Sequence, residues 1–248
     1  MARAKFLGRG LPYQALGNLK GRLIVVEGTD GVGRTEQITR LRDWLEVQGY
    51  GVVETGWTRS QLMSNLIELA KEGNTLTRHT FSLLYATDFA DRLENTILPA
   101  LKAGFVVLSD RYVYTAFARH VARGGDPTWI RNVYGFALEP DIVIYLRVEI
   151  ESLIPRVLQS KGMNYWESGI DVGQVEDLFD SFVLYQTRMI ELYDRMAKEF
   201  GFVKVETAER NPAEIHEEIK KLLEPVIRKI RSVDLQASTF PEPQAPVS

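Results

Sequence analysis

Two hydrophobic periods alternate along this chain. Short apolar runs, rich in β-branched residues, recur at 23–26, 52–53, 105–108, 142–146 and 202–205, the last interrupted by Lys204. Between them, apolar positions return every three or four residues over 36–48, 61–71, 80–103, 113–123, 128–138, 151–160, 175–200 and 213–231. In the first of these stretches Ile38, Leu41, Trp44 and Leu45 form one stripe of a helix. Apolar runs without polar alternation suit strands covered on both faces. The pattern therefore predicts an α/β fold, a five-stranded parallel sheet with helices on both sides. Pro99 and Pro155 fall inside helical stretches and are expected to end or kink them.

At 248 residues and 45% hydrophobic content, the chain can bury the core of one large domain. Residues 21–231 carry the periodic pattern. Residues 1–20 are expected to form an N-terminal extension; their glycines and Pro12 interrupt any secretory apolar core. Residues 232–248 hold Pro241, Pro243 and Pro246 with few large apolar groups and read as a disordered tail. No apolar run has the length of a membrane span, so neither a membrane nor, at a formal charge of −3, polymeric nucleic acid is an expected partner. The absence of cysteine excludes disulfides and thiolate chemistry. A cytoplasmic protein is expected. His79, His120 and His216 lack ligand spacing and are expected at the surface.

Chemistry enters directly after the first apolar run, at Gly28-Thr29-Asp30-Gly31-Val32-Gly33-Arg34-Thr35, followed by Glu36. Glycines there let successive backbone N–H groups turn inward onto phosphate oxygens, with a helix N-terminus completing the anion site. A cation is then needed for the β/γ-phosphates and a hydroxyl for Mg²⁺. Arg34 and Thr35 stand at those positions. Arginine keeps the charge of the lysine that this pattern usually carries, but presents it as a planar fork. The loop predicts ATP and Mg²⁺ as ligands and a P-loop nucleotide-binding fold.

In an open parallel sheet, ligands bind beyond the carboxyl ends of the strands. Asp110-Arg111-Tyr112 follows the third run directly. Asp110 is a candidate metal ligand with Thr35, and Arg111 a candidate clamp for a second phosphate. Arg59, beyond the second run, adds another cation.

With these residues assembled, the chain resembles the thymidylate kinase family of nucleoside monophosphate kinases over about residues 21–223. The matching pieces are the loop from Glu27 to Gln37, Leu83-Leu84-Tyr85-Ala86-Thr87-Asp88 continuing to Leu101, Asp110-Arg111-Tyr112, and the run from Pro140 to Leu146. The resemblance implies transfer of the ATP γ-phosphoryl to deoxythymidine monophosphate (dTMP) by a homodimer. It implies that Asp30 contacts the deoxyribose 3′-hydroxyl, that Tyr85 stacks on thymine, and that Arg59 and Arg111 hold the acceptor phosphate. Arg34, Arg111 and Asp30 become the candidate catalytic set. A cationic lid is expected at about 159–173, with Arg156 and Lys161 as its cations and Trp166 as an aromatic candidate for packing over the nucleotide.

Three departures from the family pattern stand out: Arg34 in the loop, Phe89 where an arginine usually lies near the thymine ring, and a lid poor in arginine. Arg119, seven positions beyond Tyr112 on a helix, is a candidate replacement for that arginine; a solvated helix-face role is the alternative. At the level of function two other readings stay open. One is a catalytically weak nucleotide-binding regulator, and the other a kinase for a different nucleotide or polyphosphate acceptor.

Overall fold

A computed structural model describes residues 5–11, 13, 16–73, 76–159, 168–170 and 177–237. The five apolar runs form strands β1 (Arg22–Glu27), β2 (Val52–Gly56), β3 (Val106–Asp110), β4 (Ile142–Arg147) and β5 (Val203–Glu206). All pair in parallel, in the order β2-β3-β1-β4-β5. Central β1 sets the layers, because its side chains alternate between the two faces. Leu23 and Val25 join a core with Phe89, Tyr112 and Tyr193, whereas Ile24 and Val26 join a second core with Leu41, Leu45 and Ile219. Truncating any of these leucines or isoleucines to alanine costs about 2–5 kcal/mol.

The helices are α1 (Arg34–Val47), α2 (Ser64–Gly73), α3 (Arg78–Arg92), α4 (Leu98–Ala103), α5 (Val113–Ala122), α6 (Pro127–Val133), α7 (Ile150–Gln159), α8 (Leu178–Phe200) and α9 (Pro212–Ala237). The helix expected over 80–103 is present over 78–103, with a π-helical turn inside it. A π-helical turn at Leu93–Ile97 links α3 to α4 with the backbone helical throughout, and Pro99 follows directly after this widened turn without ending the helix. Pro155 is likewise held within α7 without ending it. The helix expected over 128–138 stops at Val133, and α9 continues past Arg231 to Ala237.

Residues released from the end of α6 take another partner. Leu7 N donates to Ala137 O at 2.8 Å and Glu139 N donates to Lys5 O at 2.8 Å, around an antiparallel bridge between Phe6 and Leu138. Phe6, Leu7 and Leu11 thereby pack against the Leu23 core. Among the described residues, no helix is long and apolar enough to cross a membrane.

Candidate active site

Loop and acid come together because β1 and β3 are neighbours in register, with Val26 beside Asp110. Gly28 passes so close to β4 that a Cβ on it would lie 2.6 Å from Leu146 O, and its φ of +147° suits glycine. Gly33, at φ +94°, caps α1 with open space around its Cα. Its backbone can therefore approach an anion at the helix N-terminus. Thr29 Oγ1 is a buried hydroxyl with no hydrogen-bond partner among the described residues. Val32 contributes only backbone, its side chain being buried, and Glu36 is exposed and paired with Arg40 at 2.9 Å.

Arg34 is 8% exposed and folds back under the loop. Its Nε donates to Asp110 Oδ1 at 2.9 Å, while Nη1 donates to Gly28 O at 2.7 Å and also to Thr29 O. The second carboxylate oxygen of Asp110 accepts from Thr35 Oγ1 at 3.3 Å. Two oxygens in adjacent positions around an octahedral Mg²⁺ lie about 3 Å apart, so the Thr35 and Asp110 donors fit that ion.

Beyond β3 the chain turns sharply at Arg111, a non-glycine residue at φ +71°. Its N–H donates to Val26 O at 2.9 Å, and Ser109 Oγ donates to its carbonyl at 2.6 Å. These bonds hold a backbone conformation that side chains disfavour, at a cost of order 1–3 kcal/mol, and direct the guanidinium over the loop. There Arg111 Nη2 pairs with Asp30. Arg119 Nη2 reaches the other Asp30 oxygen at 3.1 Å, and Arg34 Nη2 lies 3.8 Å away. Burial alone raises the Asp30 carboxyl, but the charges of Arg111, Arg119 and Arg34 outweigh it and hold the group far below the usual aspartate range. Three guanidinium groups converge on the two carboxylates of Asp30 and Asp110 beside the loop, a concentration of N–H donors suited to a polyanion.

Behind this cluster lies Glu27, fully buried at the end of β1. One oxygen accepts from Tyr112 N at 2.8 Å and Thr115 N at 3.2 Å; the other accepts from Thr115 Oγ1 at 2.7 Å and Tyr193 OH at 3.0 Å. Burial raises its carboxyl, although Thr115 and Arg111 counter part of that shift. Glu27 ties the first helical turn of α5, and so Arg111, to the loop strand. A single acid closing an otherwise apolar strand was the available signal for it.

The other expected residues divide. Arg59 lies at the carboxyl edge of β2, half exposed and 3.8 Å from Glu54. Tyr85 is buried with its ring against Trp57 at 4.6 Å and Phe81 at 5.0 Å. Phe89 does not line the site: it is 2% exposed and packs on Tyr112, Tyr134 and Phe136. Tyr112 is buried too, its hydroxyl donating to Leu138 O at 3.0 Å, so only its backbone borders the site. Both rings satisfy the aromatic core between α3 and α6. Arg156 is bound to the β5–α9 turn, with Nη2 donating to Thr207 O at 2.5 Å. Lys161, Trp166 and most of the expected lid lie outside the described residues. His120, expected at the surface, is 3% exposed beneath Trp129, with its ring 5.9 Å from that of His79. No cluster of three metal-binding side chains of His, Cys, Asp or Glu occurs among the described residues.

Trp57 went unread in the sequence. It follows β2 directly, is half-buried, and donates from Nε1 to Tyr112 O at 3.0 Å. Ser60 N and Arg92 Nε bond the two oxygens of Asp88 at 3.0 and 2.9 Å, fixing the turn that carries Trp57 and Arg59 against α3.

Comparison with known proteins agrees with this geometry. The family model described as thymidylate kinase matches residues 26–219. A protein of Saccharolobus solfataricus named probable thymidylate kinase 2 is 42% identical over 207 residues, covering 83% of this chain and 96% of the relative. Probable thymidylate kinases of Thermococcus gammatolerans and Thermococcus kodakarensis are each 31% identical over 213 residues, covering 82% of this chain and 96% and 98% of the relatives. By the family match and these relatives, the chain belongs to the thymidylate kinase family.

Proposed function

We propose that this protein is a thymidylate kinase that converts dTMP and ATP to dTDP and ADP with Mg²⁺. A 5′-phosphate oxygen of dTMP forms a bond to the γ-phosphorus, the bond from that phosphorus to the β,γ-bridging oxygen breaks, and ADP leaves with the electron pair. One observation carries the reading: Arg34, Arg111 and Arg119 converge on Asp30 beside a glycine loop. Phosphoryl transfer asks a protein chiefly to align two anions and neutralise the oxygens between them, and these residues are equipped for that task.

In this reading residues 28–36 cradle the ATP phosphates through backbone N–H groups and Arg34. Thr35 and Asp110 would hold Mg²⁺, which would supply charge neutralisation to the phosphates when bound. Arg111 and Arg59 hold the acceptor phosphate, Arg119 stands in for the arginine that the family pattern places near the base, and Asp30 accepts from the 3′-hydroxyl. Arg156, expected from the sequence as a lid cation, is bound to the β5–α9 turn. Tyr85, buried against Trp57, supports that ring. No protein nucleophile is required. Exposed Leu62, Leu66 and Leu69 form one row along α2 and its entry, and they support assembly as a homodimer. A cytoplasmic location accords with nucleotide substrates.

The test is a coupled assay of ADP formation across nucleoside monophosphates with ATP and Mg²⁺. The expected result is turnover that depends on dTMP. Tight ATP binding without transfer to any monophosphate overturns the kinase reading; turnover confined to another acceptor overturns the choice of dTMP.

A further inference from the structure

Residues 5–11 lie ahead of β1 and reach the site through a single carbonyl. Leu7 N donates to Ala137 O and Glu139 N to Lys5 O, each at 2.8 Å, while Gly135 O accepts from Gly8 N at 2.9 Å and from Gly10 N at 3.0 Å. Phe6 and Leu138 face each other at the centre of this antiparallel pairing. Because residues 137 and 139 make the bonds to the segment, the carbonyl of Leu138 between them points the other way. There it accepts from the Tyr112 hydroxyl at 3.0 Å. The segment is closely fitted: Gly10, at φ +72°, lies against the Phe6 ring with no space for a Cβ, and Phe6, Leu7 and Leu11 are half-buried against the core.

Tyr112 carries the contact inward. Its ring is buried, its N–H donates to Glu27 at 2.8 Å, and its carbonyl accepts from Trp57 Nε1 at 3.0 Å. Directly before it stands Arg111 at φ +71°, a conformation that persists only where the surroundings over-determine it. From this we propose that residues 5–11 are a strap that positions Arg111 for the acceptor phosphate, acting through Leu138 O and the Tyr112 hydroxyl. The inference rests on the thymidylate reading for the role of Arg111. The hydroxyl is a third tie on the turn, and its acceptor stays in place while residues 135–139 are held. Without the strap, Gly135 O, Ala137 O and Glu139 N each lose a backbone partner. The ATP side has supports of its own, Arg34 being fixed by Gly28 O and Asp110, so the strap acts on one substrate of the two.

The test is steady-state kinetics of the whole chain, with KM for dTMP and for ATP measured in the wild type, Gly8→Val, Tyr112→Phe and the double variant. Hydrogen exchange at the Leu7 and Glu139 amides reports whether the strap is detached. Gly8→Val drives a side chain into the Gly135 backbone, whereas Tyr112→Phe removes only the hydroxyl. Each is expected to raise the KM for dTMP about fivefold and to leave the KM for ATP unchanged. The double variant should raise it no further than either single one, because both break the same link. Phe6→Ala, a milder change, takes the place of Gly8→Val if that variant does not fold. A detached strap with an unaltered KM for dTMP overturns the inference. So does an equal rise in both KM values, a double variant in which the two effects multiply, or unchanged protection of the two amides. The kinase reading fails separately: if the wild type binds dTMP without turnover, that reading falls, and the same pattern in dTMP affinity by titration calorimetry supports the strap. If turnover is confined to another monophosphate, the choice of dTMP falls and the strap is judged on that acceptor. Absence of monophosphate binding overturns both.

Discussion

Arg34 Nε meets Asp110 Oδ1 at 2.9 Å, so the loop cation lies against the acid proposed to hold the metal. The same guanidinium bonds the carbonyls of Gly28 and Thr29. An arginine reaches three acceptors at once where a lysine offers a point charge, and here it cross-links loop and strand. A divalent cation held by Asp110 would have to share that carboxylate with the guanidinium. Metal and nucleotide binding should therefore be coupled. In the absence of nucleotide, Arg34→Ala is expected to bind Mn²⁺ about tenfold more tightly than the wild type, as followed by electron paramagnetic resonance. Turnover of the same variant should fall by about 10²–10³. Arg34→Lys should change turnover only modestly. Identical Mn²⁺ affinities in all three proteins argue against competition at Asp110.

Glu27 supports the site from within the core. Its four accepted hydrogen bonds link β1 to α5 and α8. Glu27→Ala strands the Tyr112 and Thr115 donors and should cost about 3 kcal/mol of stability in urea denaturation. It should also raise the KM for dTMP more than that for ATP, because Arg111 loses its support. Glu27→Gln retains an acceptor and should lose less on both measurements. A fully stable alanine variant with unaltered KM values assigns Glu27 no such role.

Protonation of His120 works against the fold. Burial, then His79 and Arg78, push its imidazole below the ordinary 6.5, with Asp126 opposing them. The unfolded chain takes up a proton before the folded one does, so stability present above 6.5 is lost as pH falls through that value. His216, pushed down by burial and Lys220, adds in the same direction. Melting temperature is expected to decline from about pH 7.5 to about 5.5. In His120→Gln the decline should be smaller; equal slopes would locate the effect elsewhere.

Gly8 crosses Gly135 with no space for a side chain. A Cβ at Gly8 would lie 2.8 Å from Gly135 Cα and 3.0 Å from its oxygen, both backbone atoms with little room to yield. Gly8→Val is expected to detach residues 5–10 and cost about 1–2 kcal/mol. Hydrogen exchange at the Leu7 and Glu139 amides should accelerate in the variant. Unchanged protection of those amides contradicts docking of the segment against the core.

Local chemistry was legible in the chain itself. The 23–26 run, the glycines after it and the acid-arginine pair after the third run each occupy a few contiguous residues, and parallel strand pairing brings such strand ends to one edge. Register then set Asp110 beside the loop. Phe89 and Tyr112 were misplaced because an aromatic at helical or strand-end spacing looks the same whether it faces a ligand or the core; only packing against Tyr134 and Phe136 decided it. The π turn at Leu93–Ile97 was equally hidden, since a single inserted residue barely disturbs a hydrophobic stripe.

Sequence by itself determined the layer order, the phosphate loop and the supply of cations, because these follow from short-range geometry and residue chemistry. Tertiary structure alone decided where the charges point. Asp30 gathers Arg111 and Arg119 from 81 and 89 positions away, and Glu27 meets Tyr193 across 166. Such pairs depend on how α5 and α8 pack onto the sheet, and no periodicity in the chain encodes that distance.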